Sequence, residues 1–424
     1  MKKVLIISYK FPPDSYTGGF RMHGLAKYLP EFDWDPIILT TKLPGNHSAK
    51  FRVIQTPYYD VIGMWKKRVG LKLEVGVKKQ FWITTHKNKK SLLDYILIFL
   101  GEIIAYPDAQ KGWYKYAVKA GSEILNNENI DAMISCFLPI TSHLIAKELK
   151  IKHKIPWVAD FRDLWSQHHD YPYGPIRNLF DRRLELKTLL PADALVTVSQ
   201  LWAEKLSILH RGKTTYTITN GFDPVQMNTK HLGLIPKFTI TYTGGIVTGK
   251  QDPSKLFTAL RDLISDGTME PKDVEVRFYG PERDWLPSEI RKYGLSDIAR
   301  YYGMVPREIS FEKQRESQLL LLLNWEDQRE KGVYPLKVFT YLAAQRPILA
   351  TGGFGNDVIE RLLDETKSGM YAPSVEDIKN ILRELYSEYK LKGKISYNGD
   401  IEKINKYSYR EMARKFAEVL DSCI

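Results

Sequence analysis

The sequence predicts an α/β protein made of two doubly wound parallel sheets. Short apolar runs alternate along the chain with longer stretches of helical periodicity, the pattern of strand-helix-strand units. The runs are near-continuous in apolar character, as strands buried on both faces require. At 424 residues the chain exceeds one ordinary α/β domain and fits two of roughly 150 to 200 residues each.

Taken in order, the first sheet is expected to use Val4 to Ser8, Pro36 to Thr41, Ala132 to Cys136, Trp157 to Asp160, Leu195 to Ser199 and Thr215 to Thr219. The opening MKKVLIISYKF has an apolar run only from Val4 to Ile7 before Tyr9, Lys10 and two prolines, so it reads as a strand and not as a secretory leader. A turn-rich connection marked by Asn220, Gly221, Pro224, Gly233 and Pro236 follows, which places a first domain at 1–225. The second sheet is expected to use Phe238 to Thr243, Val274 to Tyr279, Leu319 to Leu323 and Ile348 to Thr351, within a domain at 226–405. The last helix should start at Ser408, whose hydroxyl forms a capping box with Glu411, and carry Met412, Phe416, Val419 and Leu420 on one face. This segment, 406–424, is expected to pack back on the first domain.

Composition narrows the class. With 43% hydrophobic and 26% charged residues the chain is an ordinary soluble globular protein. Cys136 and Cys423 are its only cysteines, so neither a disulfide framework nor a cysteine metal cluster is expected, and a reducing compartment, the cytoplasm, fits best. The longest apolar candidate, LLDYILIFLGEIIAY from Leu92, is interrupted by Asp94 and Glu102 and falls short of the ~20 residues a spanning helix needs. The formal charge of +12 is concentrated between Val61 and Leu93, where Lys66, Lys67, Arg68, Lys72, Lys78, Lys79, Lys87, Lys89 and Lys90 face only Glu74. Trp65, Phe81 and Trp82 lie in the same block. Basic side chains beside interfacial aromatics suit a surface resting on anionic headgroups, so 65–106 is the expected place of peripheral contact with the inner face of the cell membrane. A solvated insertion is the alternative reading of this block. No recognition motif accompanies the charge, and nucleic acid is not an expected partner.

Candidate site residues fall at the carboxyl ends of predicted strands, where open α/β sheets bind ligands. The first strand leads through Pro12 and Pro13 to Gly18 and Gly19 and then a helix bearing Met22, Leu25, Ala26 and Leu29. The pattern is not GxGxxG, which disfavours a dinucleotide dehydrogenase. The second sheet opens likewise: Gly244 and Gly245 follow a strand directly, then Lys250, then a helix from near Pro253. Glycines let the backbone approach a ligand and the lysine adds positive charge, so phosphate is the natural partner. Tyr279 and Gly280 end the next strand, and Val305 lies on a loop whose backbone is placed to face a base. In GVYPLKVFTYLAAQRPIL a loop with Tyr334 precedes a helix from about Pro335 to Ala344, with Lys337 in its first turn and Thr340 one turn later. A cation there opposes the helix dipole, a conflict that a bound anion would remove; an exposed lysine paired with a surface carboxylate is the plainer alternative.

In the first domain, ISCFLPITSHLIAKEL places His143 near a helix start, and PWVADFRDLW ends a strand in Asp160, Arg162 and Asp163. Such a cluster can hold sugar hydroxyls or arrange a hydroxyl nucleophile, and these four are the candidate catalytic residues; a structural ion pair is the competing reading. His168 and His169 read as surface residues, and no metal ligands are expected.

Together these segments resemble the family 4 glycosyltransferases of the GT-B type, especially a bacterial subset. The likeness is carried by PITSHL, VADFRDLW, ADALVTVSQLWAEKL, ITNGFDP, TYTGG and GVYPLKVFTYLAAQRPIL, and is weakest from about Thr41 to Asn129. The resemblance implies two Rossmann-like domains facing a cleft and a nucleotide sugar on the C-terminal one. It further implies a diphosphate near Gly244, Gly245, Lys250 and Lys337, Gly18 and Gly19 opposite, no obligatory metal or cofactor, and transfer with retention to a glycan or lipid-linked acceptor. In one respect the chain departs from the family: the E-x7-E element has Gly332 and Thr340 in place of its glutamates, which removes a charge-assisted ribose contact. A catalytically silent sugar-nucleotide-binding or scaffold protein, and a sugar-nucleotide epimerase or hydrolase, are the alternatives.

Overall fold

A computed structural model of the chain describes residues 1–12, 17–42, 51–68, 70, 100, 102–168, 170–228, 233–327 and 331–424. Two compact units emerge. The first comprises Met1–Val198, Trp202–Ile218 and Ala413–Ile424, and the second Ser199–Leu201 and Thr219–Met412.

The first unit is built on β1 (Lys2–Ile7), β2 (Trp34–Thr41), β3 (Arg52–Thr56), β4 (Ala132–Phe137), β5 (Trp157–Phe161), β6 (Ala194–Thr197) and β7 (Thr214–Thr217). They form a parallel sheet in the order β3-β2-β1-β4-β5-β6-β7. The intervening helices are α1 (Phe20–Tyr28), α2 (Val61–Arg68), α3 (Tyr114–Asn127), α4 (Ile140–His153), α5 (Pro175–Leu189) and α6 (Gln200–Leu209). Chain order reverses between β1 and β4, so the loops after these two strands flank the topological switch point where ligands bind in such sheets.

The second unit holds β8 (Phe238–Thr243), β9 (Val274–Tyr279), β10 (Ala299–Gly303), β11 (Leu319–Leu323), β12 (Ile348–Thr351) and β13 (Gly369–Ala372), in the order β10-β9-β8-β11-β12-β13 and again parallel. Its helices are α7 (Ser254–Ser265), α8 (Leu286–Lys292), α9 (Arg307–Arg315), α10 (Leu336–Ala344), α11 (Val358–Thr366), α12 (Val375–Lys392) and α13 (Ile401–Asn405). The run LLLLL shows why the sheet is covered on both sides. Leu319, Leu321 and Leu323 join a core with Phe257 and Leu382, whereas Leu320 and Leu322 join another with Phe339 and Leu362. Successive side chains of a strand point to opposite faces, so an unbroken apolar run needs a packed layer on each. Here the reversal falls between β8 and β11, beside Gly244.

A last helix, α14 (Tyr409–Asp421), starts where the Ser408 hydroxyl accepts from the Glu411 amide at 3.2 Å. From Ala413 onward it belongs to the first unit. There Asp421 accepts from the Trp34 indole at 3.1 Å and from the Lys2 ammonium, and the Arg21 guanidinium lies 5.3 Å from the Phe416 ring centre. The predicted return of this helix to the first domain is therefore found.

Every strand expected from the sequence forms, while three further ones do not announce themselves: β3, β10 and β13. All are sheet edges, partly exposed, and lack the continuous apolar run of a central strand. Trp65 to Arg68 fall in α2, but Lys72 to Lys90, Phe81, Trp82 and most of the segment from Leu92 lie outside the described residues, as does His169. Among the described residues no helix is long and apolar enough to cross a membrane.

Candidate functional site

In the second unit the site grows out of the end of β8. Gly244 adopts φ +103°, a conformation that favours glycine, and its amide donates to the Tyr279 carbonyl at 2.7 Å. A Cβ on Gly280 would come within 2.2 Å of the Gly244 carbonyl oxygen, so both glycines are needed for the two loops to touch. The loop that follows is pinned from within. Gln251, buried, accepts from the Val247 amide at 2.9 Å and donates to the Leu323 carbonyl at 2.8 Å. The Trp285 indole donates to the Thr248 hydroxyl at 3.1 Å.

Lys337 reaches this loop from the first turn of α10, a turn with no acidic residue. Its ammonium donates to the Tyr242 hydroxyl, which in turn donates to the Gly245 carbonyl at 2.8 Å. Its Nζ would lie 3.4 Å from a Cβ on Gly244. No carboxylate among the described residues faces Lys337, and burial pushes its ammonium down to about 7 from an ordinary 10.5. Burial likewise drives the Tyr242 phenol upward, so that hydroxyl keeps its proton. The exposed, ion-paired lysine that the sequence left open is thus not what the structure contains. Among the described residues the Lys337 ammonium is thus a half-buried cation opposed by a helix dipole and faced by no carboxylate.

Each of the other residues expected here has its own local partner. Lys250 holds its ammonium 4.1 Å from the Trp325 ring centre, a cation–π contact. Tyr279 stacks on Tyr302 with ring centres 4.9 Å apart, and burial pushes its phenol up to about 12. The Gly280 amide donates to the Gly303 carbonyl at 2.9 Å, and Val305, half-buried, follows on the same connection. Tyr334 packs its ring 5.8 Å from that of Phe339. The Thr340 hydroxyl donates to the Lys337 carbonyl at 2.9 Å, one turn back on its own helix. Gly332, at φ +88°, gives its amide to the Asp357 carboxylate at 3.0 Å. One residue the sequence did not single out also belongs here: Arg283, on the loop after β9, donates through Nε to the Ile246 carbonyl at 2.8 Å.

In the first unit the expected cluster divides. Arg162 and Asp163 follow β5 and pair with each other, Nε to Oδ2 at 3.2 Å, both partly accessible. An added Cβ on Gly18 would fall 2.6 Å from Arg162 Nη1, so Gly18 gives the guanidinium its room. At Gly19 a Cβ would crowd the Lys10 carbonyl and Pro12 at 3.2 and 3.1 Å. Asp160 and His143 are corrections to the expectation. Asp160 is wholly buried and receives Arg21 in a fork, with Nε 3.0 Å from Oδ2 and Nη2 2.9 Å from Oδ1, while Arg21 also donates to the Ile218 carbonyl at 2.9 Å. This is an internal ion pair. His143 is wholly buried between Phe137 and Phe161, ring centres at 5.7 and 4.8 Å. Ser135 Oγ accepts from the Trp157 indole at 2.8 Å and lies within hydrogen-bond distance of His143 Nδ1 at 2.7 Å. Burial pushes the imidazole down to about 3, and it stays neutral in the core. Cys136 is equally inert, its buried thiol pushed up to about 12. Among the described residues no three His, Cys, Asp or Glu side chains gather as a metal site.

No protein-family model matches the sequence, and no curated protein sequence does either. Solved structures do match in shape. A sucrose-phosphate synthase from Thermosynechococcus elongatus aligns over 100% of this chain and 99% of its own with a TM-score of 0.63 at 11% identity. A trehalose-6-phosphate protein from E. coli bound with UDP-2-fluoro glucose aligns over 100% of both chains, with a TM-score of 0.60 at 12% identity. The fold is that of the GT-B glycosyltransferases. The lipopolysaccharide outer core galactosyltransferase WaaB shares it too, with a TM-score of 0.56 at 13% identity over 100% of both chains. At these identities the likeness is one of fold.

Proposed function

We propose that the protein is a glycosyltransferase, akin to family 4, that moves a sugar from a nucleotide-activated donor to a glycan or lipid-linked acceptor with retention of configuration, in surface polysaccharide or glycoconjugate synthesis. The observation that carries this reading is Lys337: an ammonium without a carboxylate, set against a glycine loop at the switch point of a GT-B fold. A departing nucleoside diphosphate develops negative charge, and a preorganised cation with aligned N–H groups stabilises it without reorganisation. The chain's own cations meet that need, so the proposal includes no metal and no cofactor. Gly244, Gly245, Lys250 and Lys337 hold the diphosphate, Tyr279, Gly280 and Val305 border the base, and Tyr334 and Thr340 face the remainder of the donor. Gly18 and Gly19 also contact the donor, and Arg162 and Asp163 act on the acceptor and the transferred sugar. The fold likeness to an outer core galactosyltransferase supports a surface-glycan acceptor. Exposed Tyr58, Tyr59 and Met64 beside the basic end of α2 support peripheral contact with the inner face of the membrane.

Calorimetric titration with UDP, GDP, ADP, CMP and dTDP, followed by donor turnover with and without added acceptor, tests the proposal. Tight binding of one diphosphate and acceptor-dependent turnover are expected. Binding without turnover would favour a silent scaffold, turnover without acceptor an epimerase or hydrolase, and no binding at all would overturn the donor site. Asp163→Asn is expected to slow transfer on the order of 100-fold while nucleotide affinity stays near that of the parent.

Binding should also depend on pH in a defined direction. Lys337 in the free protein loses its proton near pH 7, whereas a bound diphosphate holds the proton in place, so affinity falls as pH rises above about 7, by at most about tenfold per pH unit. Stability of the unliganded protein runs the other way. The folded-state value is lowered below the unfolded 10.5, so between about 7 and 10.5 the unfolded chain binds the extra proton and stability rises with pH. Titration at pH 6.5, 7.5 and 8.5 checks the first statement, and denaturation over the same series the second.

A further inference from the structure

Lys337 is joined at the glycine loop by a second cation that no carboxylate among the described residues pairs with. Arg283 stands half-buried on the connection between β9 and α8, and neither of its acidic chain neighbours, Glu282 and Asp284, both exposed, makes an ion pair with it. Its hydrogen bonds go to carbonyls: Nε to Ile246 at 2.8 Å and Nη1 to Glu282 at 3.4 Å. The Nε bond fixes the plane of the guanidinium, and Nη2 is left 3.7 Å from where a Cβ on Gly245 would stand. Lys337 Nζ holds the matching place, 3.4 Å, at Gly244. Consecutive glycines thus each have a cation beside the space their missing side chains leave. The two connections are locked together by Trp285 on Thr248 and by the Gly280 and Gly244 contact, so the guanidinium is in place before any ligand arrives.

We propose that Arg283 is a diphosphate-contacting, specificity-determining residue of the donor site, its guanidinium taking one phosphate and the Lys337 ammonium the other. This rests on the donor-site reading given above. A guanidinium has five N–H donors in a rigid fork that matches phosphate oxygens, and the Arg283 donors not bonded to Ile246 and Glu282 are open to solvent and so to the oxygens of a ligand. Two cations set beside consecutive glycines match two linked phosphate groups, whereas a monophosphate offers a single group to one of them, so the pair selects nucleoside diphosphates over monophosphates.

The test titrates the full chain, as parent, Arg283→Gln, Arg283→Lys and Lys337→Ala, each checked for an unchanged circular dichroism spectrum. The probes are the nucleoside diphosphate that the parent binds best and the corresponding monophosphate. Arg283→Gln and Lys337→Ala are each expected to weaken the diphosphate by about 10- to 100-fold, and one of the two, not both, to leave the monophosphate within about threefold of the parent. Arg283→Lys, which keeps the charge, should fall between parent and Arg283→Gln. Unchanged diphosphate affinity in Arg283→Gln would overturn the inference, as would equal losses for both probes in both variants, since the guanidinium would then only hold the loop in shape. An Arg283→Lys value no better than that of Arg283→Gln would overturn it too, by making the bond to Ile246 the whole contribution. Failure of the parent to bind any nucleotide would instead remove the donor site itself, a different result from a parent that binds and an Arg283→Gln variant that binds equally well.

Discussion

Asp160→Ala is expected to destabilise the first unit by about 3 to 5 kcal/mol, the effect of removing one partner of a buried ion pair and leaving the charge of the other uncompensated by that carboxylate. Arg21, 2% exposed, would lose both arms of its fork to Asp160, while its bond to the Ile218 carbonyl and its contact with Phe416 remain. In a unit of this size the loss corresponds to a fall in its melting transition of roughly 6 to 20 °C. Because the chain folds as two units, the transition must be followed by a probe that reports the first one. The double variant Asp160→Leu with Arg21→Met removes both charges and should regain most of the loss. A melt of Asp160→Ala indistinguishable from the parent would show that the pair does not hold the first unit, and would return Asp160 to the list of residues available to a substrate.

That pair also shows where reading along the chain fails. Asp160, Arg162 and Asp163 are neighbours in sequence and were grouped for that reason, on a strand expected to end at Asp160. In fact β5 continues through Phe161, so Asp160 lies inside the sheet while Arg162 and Asp163 follow it, and its partner Arg21 comes from a helix far away in the chain. His143 went astray for a related reason. The first turn of α4, from Ile140 to His143, is buried throughout against the sheet, and amphipathic spacing alone does not say that a polar residue on the inner face has a Ser135 to satisfy it.

What local pattern could carry was legible. Gly244 and Gly245 after an apolar run, then a helix, mark a loop at the carboxyl end of a strand, and Lys337 stands out in the sequence by its conflict with a helix terminus. Arg283 escaped because nothing in GPERDW points to Ile246; only the parallel pairing of β8 with β9, which brings their carboxyl ends side by side, does so. Edge strands escaped for a different cause, since β3, β10 and β13 have one side unpaired and need no continuous apolar run. Pairing in three dimensions is the common element in these misses, for single side chains and for strands alike.

Lys337→Ala draws on the same distinction between local and tertiary information, and its expected outcome has two opposite signs. Donor or nucleoside diphosphate affinity should fall by about 10- to 100-fold, the loss of a charge-assisted contact worth roughly 1.5 to 3 kcal/mol. The unliganded variant should nevertheless be at least as stable as the parent at pH 6 to 7, because the ammonium it loses is desolvated, stands against the α10 dipole and, among the described residues, meets the Tyr242 hydroxyl and ring but no carboxylate. A residue kept for structure would, on removal, weaken both properties together. One kept for a ligand weakens binding and spares or raises stability, the usual relation between function and stability at a binding site. Calorimetric titration and thermal melting of the same preparation therefore decide the matter. Lost stability with unchanged affinity would make Lys337 a structural lysine, whereas lost affinity with retained stability would leave an anionic ligand as the reason that a half-buried cation without a carboxylate is held beside Gly244.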